Sequence, residues 1–457
     1  MKSESRATLP SFTVFVLATA LSAAAYAGVS PEEAAKLGAS LTIVGAEKAA
    51  NADGSIPEYN GGLRTAPAGF QVGSNVRPNP FADEKPTLVI DSSNLATFKD
   101  NLSATTVELI SRFPSFRVEV YPTHRTATLP QANLDNTLRN AVDARATEQG
   151  LALENVLPGV PFPIPQTGRE AMWNHLLRFQ GKAIESKYDS WNVDAAGVAT
   201  LATTGTAFND YPIYHDMSKP IAGDDIYYRS KIYYSGPARR AGEALMVQDA
   251  ANPLQQPRRA WQYLPGQRRV KLAPSLAYDT PNPGTAGSST FDDIFVFSGA
   301  MDRFDWKLLG KKEMYVPYNT YDLTYIDDPK KLTTPNHLAP EFVRWEKHRV
   351  WVVEAALKDD KRHVYQTRTF YLDEDSWVAL ASDEYDARGQ LYRGSFAFLT
   401  QSYDRDIPDA TPHMVYDLIG GTYNINGIVG PYGGIGYIEP LSAAKWSSQS
   451  LAGSGIR

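Results

Sequence analysis

The sequence predicts a mainly β (α+β) fold: one large, curved antiparallel sheet, open like a half-barrel, with helices on its concave face. Residues 344–403 carry four strand-like segments separated by turns of about four residues, which is typical of a meander. The same hairpin rhythm recurs from residue 183 onward, and three helical segments precede it. A sheet of this length needs a cover for its apolar face, and the helices are the available cover.

The strands are predicted from β-branched and aromatic residues between clusters of turn-forming residues. The meander consists of His348–Leu357, His363–Leu372, Trp377–Tyr385 and Gln390–Thr400. The earlier strands are Phe116–Tyr121, Ala183–Val193, Val198–Phe208, Asp225–Tyr234, Gly242–Asp249, Arg259–Leu264, Arg268–Leu272 and Phe304–Val316. The segment Phe291–Phe297 is predicted to be a short helix or an apolar turn.

The helices are predicted from apolar residues at helical spacing and from capping residues. They are Ser103–Phe113, Gln131–Gln149 and Thr167–Phe179. The chain therefore divides into a helix- and loop-rich part at 28–182, a sheet core at 183–410 and a Gly-rich tail at 411–457 along the sheet edge. We expect residues 28–457 to form one domain.

The first 27 residues predict an export signal. Lys2 and Arg6 precede an apolar run from Phe12, and small residues before Gly28 suit cleavage after Ala27. The mature chain has no cysteine, so it has neither disulfides nor a lipid-modified cysteine. We expect a soluble protein of the periplasm.

The composition excludes several classes of function. With 45 Lys+Arg against 51 Asp+Glu the net charge is -6, which argues against general binding to nucleic acid. The 25 tyrosines suit strands with one wet face, or a cavity that is apolar with a few polar groups.

The sequence contains no recognisable catalytic motif: no nucleophile elbow, no phosphate-binding loop and no zinc-protease helix. The strongest catalytic candidates are His124, beside Arg125, and His175. The alternative for each histidine is a structural role, His124 in locking a Pro turn. We predict no metal site and no cofactor, because His215 and Asp216 near Asp224 and Asp225 are interpreted as solvated turns.

Aromatic residues on the predicted strands are the candidate ligand-binding residues, since alternation can turn them into a cavity. They are Tyr228, Tyr234, Trp261, Tyr263, Tyr392 and Phe396. Basic residues flank the turn at 265–267 and predict a patch that binds an anionic headgroup or an acidic partner at the cavity mouth. They are Arg258, Arg259, Arg268 and Arg269. The alternative for them is an edge strand protected by charge from aggregation.

Three segments carry a resemblance to a known family. They are Val120–Arg125, Pro161–Leu176 and Arg259–Gly266, and the closing Gly455–Arg457 also fits. In these the chain resembles a family of secreted proteobacterial proteins named as domain of unknown function DUF1329, over nearly its whole mature length. The second half is similar, more weakly, to the outer-membrane lipoprotein-sorting carriers, in the turn after Trp261 and in Arg368–Gly389.

The resemblance implies a half-barrel fold, an envelope compartment and a hydrophobic cargo such as an acyl chain. It also implies two partners, an outer-membrane protein and an inner-membrane exporter. The favoured hypothesis is therefore a periplasmic carrier or accessory protein that passes a lipid-like molecule to an envelope partner. The alternatives are a periplasmic hydrolase that uses His124 or His175, and a non-catalytic structural protein.

Overall fold

A large open β-sheet dominates the computed structural model, which describes residues 28–454. The strands of the long central meanders are β5 (Ala183–Val193), β6 (Ala199–Asp210), β7 (Ile226–Gly236), β8 (Ala244–Ala250), β9 (Arg259–Leu264), β10 (Arg269–Leu272), β11 (Phe304–Pro317), β12 (Trp345–Leu357), β13 (Thr367–Asp373), β14 (Ala379–Tyr385) and β15 (Leu391–Ala397). Shorter strands are β1 (Leu88–Ile90), β2 (Val118–Val120), β3 (Arg145–Thr147), β4 (Ala152–Glu154), β16 (Thr400–Ser402), β17 (Ile407–Asp409), β18 (His413–Asp417), β19 (Thr422–Ile428) and β20 (Gly436–Tyr437).

The sheet consists of two meanders joined in the middle. Its order is β1-β2-β12-β13-β14-β15-β18-β19-β5-β6-β7-β8-β9-β10, with β11 paired to β12 and β20 to β5. Every pairing is antiparallel except one parallel bridge between β2 and β12. The predicted fold class, a mainly β protein with one large open sheet, is confirmed.

The C-terminal residues lie in the middle of the sheet, where the sequence did not place them. Residues from 411 onward were expected along the sheet edge because they are rich in glycine, but β18 and β19 lie between β15 and β5. Their apolar residues Val415, Ile425 and Ile428 are buried in the core. These two strands hold the two meanders in one sheet.

The helices are short and are α1 (Pro31–Ala34), α2 (Leu95–Phe98), α3 (Ala104–Arg112), α4 (Gln131–Asp143), α5 (Gly168–Leu176), α6 (Tyr321–Thr324) and α7 (Pro329–Leu332). Capping explains where two of them begin. The Ser103 hydroxyl accepts from the backbone N–H of Thr106, and the Thr167 hydroxyl accepts from that of Glu170. Helix α4 ends six residues earlier than predicted, because Ala144 turns to extended backbone and β3 follows.

The two faces of the sheet carry different covers. We call the face with Tyr228 and Ser230 the cavity face, and cross-strand pairing with alternation places Arg368 and Glu384 on that same face. Helix α5 lies on the cavity face. Helix α3 lies on the opposite face, where its first N–H groups bond Asp383 at 2.8–2.9 Å. The prediction that the three helices all cover one face of the sheet is therefore wrong for α3.

Among residues 28–454, no helix is both long and apolar enough to cross a membrane. The predicted export signal and the closing Gly455–Arg457 lie outside the described residues.

Candidate functional site

A cavity lies over β5–β8 on the cavity face, and it encloses about 800 Å³ of empty space, counting the part open to solvent. The side chains that line it are mostly aliphatic and aromatic. They include Tyr188, Ala207, Tyr228, Ile232, Tyr234, Leu245, Val247, Phe291, Ile294 and Phe295.

Alternation along one strand places the floor of the cavity. In β7 the residues Tyr228, Ser230, Ile232 and Tyr234 all line it, two positions apart. The intervening Tyr233 points to the opposite face, where it packs with Phe208. The alternation of side chains along β7 therefore determines which of its residues face the cavity.

Residues 282–298, which we call the covering segment, close the cavity from above. Phe291, Ile294 and Phe295 line the cavity. Between them, Asp292 and Asp293 turn away and pair with Arg368 of β13, at 2.9 and 3.2 Å. These ion pairs therefore attach the covering segment to the sheet beside the cavity, and they do not occupy the cavity itself.

These ion pairs belong to a buried group that we call the charged cluster. Its members are Asp292, Asp293, His363, Tyr365, Arg368, Glu384 and Arg393. Burial acts to raise the pKa of Asp292, but Arg368 and His363 outweigh it and hold that pKa well below its usual range. Burial raises the pKa of Glu384 to about 7 despite the nearby Arg368.

The polar groups that line the cavity are neutral or paired. The ring of His413 lies between the carbonyl of Thr411 at 2.9 Å and the side-chain amide of Asn426 at 3.1 Å. Burial lowers the pKa of His413 to about 4, so the ring is neutral at pH 7. Arg258 donates two hydrogen bonds to Asp249, both of 2.7 Å. The lining therefore offers hydrogen bonds but little free charge.

The structure brings together two of the six predicted ligand-binding aromatics. Tyr228 and Tyr234 line the cavity. Trp261 and Tyr263 lie on the opposite face, because they pair with Met246 and Ala244, and there they pack with Trp446.

The other two aromatics also lie away from the cavity. Phe396 is buried on the opposite face against Trp345 and Tyr416, with ring centroids 5.8 and 6.1 Å apart. Tyr392 contacts Tyr365 of the charged cluster. The hairpin rhythm revealed the strands, but it left the face of these aromatics undetermined.

The four predicted basic residues do not form one patch. The side chain of Arg258 is 6% exposed and lines the cavity. Arg259, Arg268 and Arg269 are exposed on the edge hairpin, and the Arg259 guanidinium lies over the Trp261 ring, 4.9 Å from its centroid. The pair Arg258–Asp249 belongs to the cavity wall, and the other three residues belong to the sheet edge.

The predicted catalytic histidines occupy separate places. His175 is fully buried: its Nδ1 accepts from the backbone N–H of Ala379 at 3.0 Å, and its Nε2 donates to the carbonyl of Phe297 at 3.0 Å. Burial holds its pKa well below the usual value, so it is a neutral residue that bridges α5, β14 and the covering segment.

His124 stacks on Phe81, with centroids 4.1 Å apart, and its Nε2 lies 2.7 Å from Glu84. Its neighbour Arg125 is buried and makes two hydrogen bonds to Asp375, at 2.7 and 2.9 Å. These contacts match the structural alternative for His124, and no hydroxyl nucleophile bonds either histidine ring within residues 28–454.

One buried group has the composition of a metal site. Ligand atoms of His348, Asp373 and Asp375 lie within 4.8 Å of one another. Both carboxylate oxygens of Asp375 already accept from Arg125, and one oxygen of Asp373 accepts from Ser376. Arg125 therefore balances the charge of Asp375, while the other oxygen of Asp373 is buried and has no hydrogen-bond partner among the described residues.

Sequence reasoning missed the covering segment and the middle strands as parts of the site. The segment Phe291–Phe297 carried a signal, because five apolar residues flank two adjacent acids. His413 and Asn426 carried none, since their position depends on the pairing of β19 with β5 more than 200 residues earlier in the chain.

Comparison with known proteins adds a family. A family model described as a protein of unknown function (DUF1329) matches residues 89–452. The uncharacterized protein PA3922 of Pseudomonas aeruginosa is 41% identical over 402 residues, which is 87% of each chain.

Two solved structures are more distantly similar. A DUF1329 family protein from Desulfovibrio piger has a TM-score of 0.41 and 16% identity, covering 59% of this chain and 92% of its own. The LolA superfamily protein NE2245 from Nitrosomonas europaea has a TM-score of 0.37 and 12% identity, covering 63% of this chain and 100% of its own. Neither similarity is close enough to assign a ligand.

Proposed function

We propose that this chain, which belongs to the DUF1329 family of proteins of unknown function, is a non-catalytic carrier that binds a hydrophobic, lipid-like molecule. The observation that carries the proposal is the apolar cavity between β5–β8 and the covering segment. Each 100 Å² of apolar ligand surface removed from water there contributes about 2.5 kcal/mol, before the cost of association.

Two further features support a carrier over an enzyme. The histidines proposed for catalysis, His124 and His175, lie apart from the cavity lining and are engaged in structural contacts. The cavity itself is lined by neutral hydrogen-bonding groups, such as Asn209 and Asn426, that orient a ligand without reacting with it.

The proposal includes a cellular compartment and the partners of the carrier. The amino-terminal 27 residues suit an export signal, so we place the carrier in the periplasm, where it passes its ligand to an envelope partner. An outer-membrane protein and an inner-membrane exporter are the partners that we propose. The exposed Arg268 and Arg269 on the edge hairpin are the surface that we assign to docking.

Adjacent residues on β7 provide a matched test. Ile232 lines the cavity and Tyr233 faces away, and both are half-buried. We expect Ile232→Trp to fill the cavity and weaken binding of a fluorescent fatty-acid probe at least about tenfold, while Tyr233→Trp leaves binding within about twofold of wild type. Equal affinities for the two variants, or no binding by the wild type, would refute the proposal.

A further inference from the structure

Arg178 is a buried cation without a carboxylate partner. It follows helix α5, and its side chain is only 7% exposed. Its guanidinium donates to neutral groups alone, the carbonyl of His175 at 2.7 Å and the side-chain oxygen of Gln180 at 3.1 Å. In the described part of the chain, no carboxylate oxygen lies within 4.0 Å of it.

This arrangement is unfavourable by itself, because a guanidinium moved out of water needs a counter-charge. Burial lowers the pKa of Arg178, and the nearby Tyr211 and Asp409 offset only part of that effect. The other arginines beside the cavity differ. Arg258 pairs with Asp249, and Arg240 pairs with Glu243.

A second polar group lies unpartnered in the same region. The Tyr211 hydroxyl is buried and has no hydrogen-bond partner among the described residues. Tyr211 packs against Tyr228 of the cavity floor, with ring centroids 5.7 Å apart. Burial raises the pKa of Tyr211 well above its usual value, so the hydroxyl keeps its proton and can donate it.

The ring of Phe295 lies between Arg178 and the cavity. Phe295 lines the cavity, and the Arg178 guanidinium lies 5.5 Å from its ring centroid. Phe295 also contacts Tyr228 and His413, at 6.5 and 5.0 Å between centroids. The backbone of Phe295 and Val296 has φ of 54° and 71°, a region that residues other than glycine rarely adopt. Phe295 therefore belongs to a strained turn and contacts both the cavity and Arg178.

We propose that Arg178 and the Tyr211 hydroxyl form the anchor for an anionic oxygen group, a carboxylate or a phosphate, at one end of an apolar ligand. A planar guanidinium donates two hydrogen bonds to such a group, and the phenol supplies a third. The inference rests on the proposed carrier function and names its ligand class, an anionic amphiphile. It places the anionic group under the covering segment rather than at the exposed edge hairpin.

The test compares three ligands with the same saturated sixteen-carbon chain: a carboxylate, an alcohol and a phosphate monoester. Each competes with a fluorescent apolar probe for the purified protein. We expect one of the two anionic ligands to displace the probe at least about tenfold more effectively than the alcohol, and the better one identifies the head group. Equal displacement by all three ligands would overturn the anchor and leave the carrier intact. Displacement by none would instead overturn the proposed carrier function.

Two tyrosine variants make the assignment specific. Tyr211→Phe removes the unpartnered hydroxyl, so it should lower the preference for the anionic ligand about tenfold while the melting temperature stays equal or rises. Tyr214→Phe is the control, because that hydroxyl already bonds the Leu177 carbonyl, and it should lower the melting temperature and keep the preference. Arg178→Met should abolish the preference. An unchanged preference in Tyr211→Phe would refute the role of this hydroxyl.

Discussion

The cavity and the charged cluster lie side by side on one face of the sheet, and the covering segment spans both. Over the charged cluster the acids of this segment, Asp292 and Asp293, are buried. They are bound there by Arg368, His363 and Tyr365. Over the cavity the same segment presents Phe291, Ile294 and Phe295 to empty space. The comparison shows that the covering segment is held by ion pairs at the charged cluster and leaves space for a cavity next to it.

The largest effect should follow from breaking the charged cluster. Arg368→Met removes the nearest arginine from the buried Asp292 and Asp293, so we expect the free energy of unfolding to fall by about 3–5 kcal/mol in urea denaturation. Arg388 is the control, since it pairs with Asp386 at the surface and Arg388→Met should change stability by less than about 0.5 kcal/mol. A small loss in Arg368→Met would mean that the covering segment is held by other contacts.

The same enlargement in the two regions should have different costs. Ala355 is fully buried opposite Arg368 on β12, and Ala355→Leu should destabilise the protein by about 1–3 kcal/mol through overpacking. Ala207 lines the cavity, so Ala207→Leu should cost less than about 0.5 kcal/mol. Thermal unfolding of both variants measures the contrast. Equal costs would show that the cavity side is as tightly packed as the cluster side.

The charged cluster should also make stability depend on pH. The pKa of Glu384 is raised to about 7 by burial. Between about pH 4.5 and 7 the unfolded chain loses this proton while the folded protein keeps it, so the free energy of unfolding falls as the pH rises. Glu384→Gln should make that fall shallower in urea titrations across the window. Part of the slope remains, because burial also raises the pKa of Asp373 to about 6. An unchanged slope would contradict the assignment to Glu384.

The smallest effect on ligand binding is expected at the edge hairpin. Arg268 and Arg269 are exposed and do not line the cavity, so their joint replacement by Glu should leave probe affinity within about twofold. Transfer of the probe to acceptor vesicles that contain the envelope partner should slow. A loss of affinity equal to that of Ile232→Trp would show that the hairpin belongs to the cavity after all.

The sequence predicted the parts of the fold that depend on local pattern. The meander was placed within a few residues, because each of its hairpins joins neighbours in the chain: His348–Leu357 became part of β12, and Gln390–Thr400 contains β15. β9 was predicted at its observed bounds. The helix starts at Ser103 and Thr167 were readable from capping residues.

The parts that depend on distant pairing were not predictable in the same way. Whether Trp261 faces the cavity depends on its register with Met246, which no local pattern determines. β18 and β19 were hidden in a Gly-rich tail, and they become strands because β15 and β5 offer them partners on either side. The proposed anchor at Arg178 could not be inferred from the sequence, because its position beside the cavity depends on the contact with Phe295 of the covering segment.

The account depends most on the claim that the cavity holds a lipid-like molecule. The measurement that tests it directly is native mass spectrometry of the protein exported and purified from its own cell envelope, beside Ile232→Trp and Tyr233→Trp. We expect one amphiphile per wild-type chain, retained in Tyr233→Trp and absent from Ile232→Trp. A wild-type protein that carries no ligand and takes up no apolar probe would contradict the account.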